Sequence, residues 1–114
     1  MSPDGDRFEA LRAWVQGDLA LAASVKLLAT ALVGRLLSGP WVRQYEAGHL
    51  WFDADVAATE SGELSGGERR VLEIATSLAS SEHPVDLSDA INGLDPDALE
   101  AVLAELALAG GQGR

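Results

Sequence analysis

Leu64-Ser65-Gly66-Gly67-Glu68-Arg69-Arg70-Val71-Leu72-Glu73-Ile74-Ala75-Thr76-Ser77-Leu78 carries the plainest structural instruction in this chain. Ser65 followed three residues later by Glu68 is a capping box. The hydroxyl accepts from the amide of residue 68, the carboxylate reaches back to the amide of residue 65, and two helix-start donors are satisfied together. Val71, Ile74, Ala75 and Leu78 then recur at helical spacing, so a helix starts here. Downstream, Asp86 or Ser88 can cap a short helix that Gly93 closes. Asp95-Pro96 is a second start signal, an N-cap with proline in the first helical position. The spacing predicts a last helix with Leu99, Val102, Leu103 and Leu106 inward, ended by Gly110-Gly111.

Upstream, Phe8, Leu11, Trp14 and Val15 sit at helical spacing and Gly17-Asp18 reads as a stop followed by a fresh N-cap. Leu19–Leu37 is apolar nearly all round, with Leu21, Val25, Leu28, Leu32 and Leu36 on one face and Leu27 and Ala31 beside it, before Ser38-Gly39-Pro40 ends it. As a membrane span this stretch would place Lys26 near the bilayer centre at a cost of roughly 2.5–3.5 kcal/mol. It is therefore expected to be a central helix packed on several sides, or one whose spare face is covered by a second copy of the chain. Trp41–Tyr45 and Leu50–Phe52 have strand composition, and Gly48 in the intervening Glu46-Ala47-Gly48-His49 suits a turn with positive φ. A hairpin alone is marginal, so its aromatic face must lie on the helices.

The expected architecture is mainly α with one β-hairpin (α+β), a long central apolar helix and a C-terminal trihelical unit. It forms a single domain over 1–114: helical over 6–37, hairpin over 41–53, helix-turn-helix-like over 64–109, with a frayed tail over 110–114. The chain is 47% hydrophobic, enough for one core. It has no cysteine, which excludes disulfides and thiolate metal sites. Eighteen carboxylates oppose eight basic groups, for a net charge of −10 that repels phosphate backbones and favours a basic partner. The acidic Met1–Asp6 segment lacks the basic start of a secretory signal, so the expected location is cytoplasmic.

Leu64–Arg70 resembles the signature motif of the ABC-transporter ATPases, and Gly93-Leu94-Asp95-Pro96 resembles that family's D-loop at about the separation the family uses. Nucleotide binding there also requires a Gly-rich loop ending in Lys-Ser or Lys-Thr, and the chain has none; its only lysine, Lys26, lies in the apolar helix. Proline and two acids interrupt Pro84–Asp89, where a buried strand should precede the D-loop. The same letters are explained as helix starts and a helix stop. Residues 64–111 also resemble the winged-helix or helix-turn-helix DNA-binding families, with Asp97–Ala109 in the recognition position. That helix offers Asp97, Glu100 and Glu105, and no Lys or Arg occurs from residue 71 to 113, which argues against nucleic acid. The composition and the Leu-Ser-x-Gly-Glu helix are also similar to small uncharacterised proteins of high-GC bacteria and their phages, a resemblance that implies no activity.

The acids Asp53, Asp55, Glu60 and Glu63 lack EF-hand spacing and read as a solvated loop. His49 and His83 have no helical partner, and Ser65, Ser77 and Ser88 have no nucleophile-elbow context, so no catalytic, metal or cofactor residue is assigned. Arg69 and Arg70 are expected to pair with Glu73 on their own helix. Trp41, Arg43, Tyr45 and Trp51 are the candidate interaction surface, with Ser65, Glu68 and Asp95 as helix caps. The expected function is a non-enzymatic protein-interaction or adaptor module that binds a protein partner or itself, as a homodimer. The alternative is a degenerate helix-turn-helix regulator whose basic surface comes from Arg7, Arg12, Arg35 and Arg43.

Overall fold

A computed structural model describes residues 3–60 and 64–111. Six α-helices and one antiparallel hairpin occupy the described residues. In chain order these are α1 (Pro3–Val15), α2 (Leu19–Thr30), a 3-10 segment (Ala31–Ser38), β1 (Val42–Glu46), β2 (His49–Phe52), α3 (Ala54–Thr59), α4 (Gly66–Ala79), α5 (Leu87–Asn92) and α6 (Pro96–Ala109). The mainly α fold with one hairpin is thus present. Glu63 and the tail beyond Gly111 lie outside the described residues.

The caps are built by side chains. Asp18, Asp53, Asp86 and Asp95 each accept from the amide three residues on, at the starts of α2, α3, α5 and α6. At α4 both halves of the capping box form: the Glu68 amide donates to Ser65 Oγ at 3.2 Å and the Ser65 amide donates to Glu68 Oε1 at 2.9 Å. Of the two residues that could cap α5, Asp86 does so.

α2 is the spine of the molecule, packed against α1, α4 and α6. Its all-round apolar surface is used on these sides, with Ala23, Ser24, Val25, Leu27 and Leu28 buried. The small Ala23 and Ser24 let α4 approach closely, and the Ser24 hydroxyl donates to the Ala75 carbonyl at 2.6 Å, satisfying a buried polar group across the helix pair.

The continuous helix expected to Leu37 is not formed. α2 ends at Thr30, whose Oγ1 donates back to the Lys26 carbonyl, and Ala31 is extended, with φ −75° and ψ 145°. The 3-10 segment follows, with Leu32 at φ 55° and Gly34 at φ 77°. Glycine takes that conformation without steric penalty, whereas Leu32 adopts it at a cost of about 1–2 kcal/mol. After the change of direction Leu36 and Leu37 both enter the core.

The hairpin pairs Val42 with Phe52, Arg43 with Trp51, Gln44 with Leu50 and, after a register shift, Glu46 with His49; Gly48 takes φ 77° in the turn. β2 lies on α1, and Val42, Leu50 and Phe52 join the core. α5 packs on α4, and α6 packs chiefly along α2. Its phase differs from the expected one. Ala98, Val102 and Glu105 form the buried face, Leu99 and Leu106 are half-buried, and Leu103 is 55% exposed. The helix is apolar almost all round, so hydrophobic periodicity does not choose its inner face. The small Ala98 side suits close approach to α2.

Candidate interaction surface

The hairpin divides its aromatic residues between core and surface. Trp41, expected in the interaction surface, is 3% exposed; its Nε1 donates to the Leu36 carbonyl at 2.8 Å and its ring lies against Gly39. It is a core residue, held there because the chain turns back through Gly39-Pro40 and the indole needs both an apolar bed and one acceptor. Trp51 is half-buried, its ring tilted 58° against Trp14 of α1 with centroids 6.4 Å apart.

Arg43 and Tyr45 remain at the surface. Every residue of β1 after Val42 is exposed, and Tyr45 is 56% exposed. Arg43 is the cross-strand partner of Trp51, and Tyr45 sits where the register shifts between Gln44 and Glu46. Arg43 Nε stands 3.8 Å from Asp53 Oδ2, and Tyr45 packs beside the His49 ring at 5.5 Å between centroids. The sequence signal for His49 was its place beside the turn, which gave a surface residue but not its aromatic neighbour. The surface therefore consists of Arg43, Tyr45 and His49, with the edge of Trp51.

Other groups in which chemistry could reside are engaged structurally. Asp53 caps α3. Asp55 Oδ1 lies 2.6 Å from His83 Nε2, tying α3 to the loop before α5. Among the described residues that ring bonds no serine or threonine hydroxyl, and no group of three or more His, Asp or Glu is placed to hold a metal ion. No helix among them is long and apolar enough to cross a membrane.

The signature-like and D-loop-like segments do meet in space, through a side chain. Arg70 lies over Gly93, and its Nη1 donates to the Asp89 carbonyl and approaches Asp89 Oδ2 at 3.3 Å. Arg70 thus holds α5 to α4, instead of pairing with Glu73 as the local spacing suggested. Glu68 accepts from the Ser65 amide and from Arg35 Nη1 at 2.8 Å, and these bonds hold its carboxyl below the ordinary value despite an opposing desolvation. Both segments act as caps and packing.

Glu105 of α6 is 3% exposed and its Oε1 has no hydrogen-bond partner. Burial raises its proton affinity, and Lys26 on α2 offsets part of that rise. The sequence placed this carboxylate on the solvent side of the helix; the altered phase of α6 puts it inside.

No family model, no curated protein and no solved structure matches the chain.

Proposed function

We propose that this chain is a non-enzymatic cytosolic protein-interaction module that presents the outer side of its hairpin to a protein partner. The observation that carries this is the treatment of β1. The hairpin is anchored through Trp41, Val42, Leu50 and Phe52, yet Arg43, Gln44, Tyr45 and Glu46 are all exposed. Tyrosine and arginine are the residue types that most often dominate interface energetics, and both stand exposed on a hairpin anchored in the core.

The test is a photo-crosslinking amino acid at Tyr45, with a second at the exposed Ala58 of α3 as control, used in the native cell. The expected result is a discrete adduct from position 45 that disappears with Arg43→Ala. Adducts equal to those from position 58 would refute the proposal. Light scattering on the purified chain separates a homodimer from a foreign partner.

The DNA-regulator alternative draws its basic surface from Arg7, Arg12, Arg35 and Arg43, and these engage the Leu37 carbonyl, Glu9, Glu68 and Asp53 respectively. The outward side of α6 carries Asp97 and Glu100 and no cation. Retardation of random duplex at low salt that falls steeply with added salt would reinstate it.

A further inference from the structure

Two cationic side chains meet at an apolar groove on this strongly acidic chain. The groove, about 410 Å³, runs between α1 and α2 and reaches Leu108 of α6; Phe8, Val15, Val25 and Leu108 give it apolar walls, and Arg12 and Lys26 line it as well. That volume falls within the roughly 300–1,000 Å³ of small-molecule sites. Arg12 holds Glu9 at 2.9 Å and places its guanidinium over the Phe8 ring at 5.7 Å. The Lys26 ammonium makes no hydrogen bond or ion pair among the described residues, although the buried Glu105 feels its charge. It is the one charged side chain on α2, at an exposed position of a helix whose other faces are packed. Its three ammonium donors are open at the edge of an apolar trough.

We propose that this groove binds an amphipathic anion of the fatty-acid class, with the alkyl chain on Phe8, Val15, Val25 and Leu108 and the carboxylate between Lys26 and Arg12. Charge complementarity selects this occupant. A single carboxylate with an apolar tail satisfies both the walls and the Lys26 ammonium, which has no direct partner among the described residues and lies with Arg12 along the groove. Neutral lipids leave the ammonium without a partner, and cationic amphiphiles meet two like charges.

The experiment is calorimetric titration of the whole chain with decanoate below its micelle concentration, beside decanol and decyltrimethylammonium, with amide chemical-shift mapping. The expected result is saturable 1:1 binding of decanoate with shifts centred on α1 and α2, and weaker binding of the other two. Lys26→Met, which keeps the aliphatic stem, should weaken decanoate about tenfold, the equivalent of roughly 1.4 kcal/mol, and Arg12→Met should weaken it by a similar factor. Leu108→Trp, which fills the groove, should remove binding of all three; circular dichroism verifies that each variant is folded. No hairpin residue lines the groove. Absence of binding, equal affinity for the cationic amphiphile, unchanged affinity in Lys26→Met, or a concentration-dependent dimer whose shifts map to the groove would each overturn the proposal.

Discussion

Replacing Glu105 by leucine should stabilise the protein at neutral pH, which is unusual for the removal of a charge from a helix. The side chain is 3% exposed, packed against α2, and has one carboxylate oxygen without a partner. An unsatisfied buried acceptor costs about 1–3 kcal/mol, and leucine of similar volume recovers that while adding apolar contact. A gain of that size in a chain of this length raises the melting temperature by about 4–12 °C.

The pH dependence gives the argument its sign. The folded chain raises the Glu105 carboxyl above its ordinary 4.5, mainly by burial. A raised carboxyl contributes stability that is fully present below the unfolded value and is lost as pH rises through the folded value. The advantage of Glu105→Leu should therefore be small near pH 4 and grow toward pH 7. Lys26 favours the ionised form, so Lys26→Met should lower stability at pH 7 in the parent chain and have no such effect once Glu105 is leucine. Urea denaturation at several pH values measures all of this. A Glu105→Leu difference that is constant with pH, or negative at pH 7, would refute the assignment of a buried, unpaired carboxylate.

Ser65→Ala removes one half of the α4 capping box and should cost about 1 kcal/mol in chemical denaturation. At Gly93 an added Cβ would fall 2.0 Å from Arg70 Nε, while the glycine's own φ of −98° suits any residue. Gly93→Ala should therefore destabilise the parent by displacing Arg70 from Asp89. In an Arg70→Ala background it should instead stabilise by about 0.4–1 kcal/mol through the unfolded chain, and a double-mutant cycle reads that reversal of sign. A methyl at Gly39 would fall 2.0 Å from Trp41 Cζ2, in a ring that is buried and fixed by its bond to Leu36. Gly39→Ala should cost about 3 kcal/mol by overpacking, seen as a lower melting temperature and a more exposed tryptophan emission.

The elements whose signals are local were legible in the sequence. Caps at Asp18, Ser65 with Glu68, and Asp95 rest on a side chain and an amide three residues apart, and nothing distant interferes with them. The hairpin was legible for a similar reason, since Gly48 fixes its turn. Long-range packing decided the rest. Leu19–Leu37 reads as one helix because its apolar residues fit several faces, whereas α2 ends at Thr30 and the chain continues as the 3-10 segment. α6 places alanine or leucine on nearly every face, so its composition could not warn that Leu103 would face solvent and Glu105 the interior. Of the four hairpin residues proposed as a surface, Trp41 was misplaced because an indole suits a core and an interface equally well. Its neighbour Gly39, which leaves room for the ring, carries no such label in sequence. Arg70 had a local partner on paper and found Asp89 nineteen positions away.

The central position of α2 also sets a problem of timing during synthesis. Its residues are made early, yet the helices that cover it, α4 and α6, come from the second half of the chain. Until Gly66–Ala79 and Pro96–Ala109 have left the ribosome, one of the most apolar stretches of the molecule has only α1 and the 3-10 segment packed against it. A truncated product ending before α6 would expose that side of α2 permanently, so premature termination in this chain yields a sticky polypeptide instead of a smaller working unit.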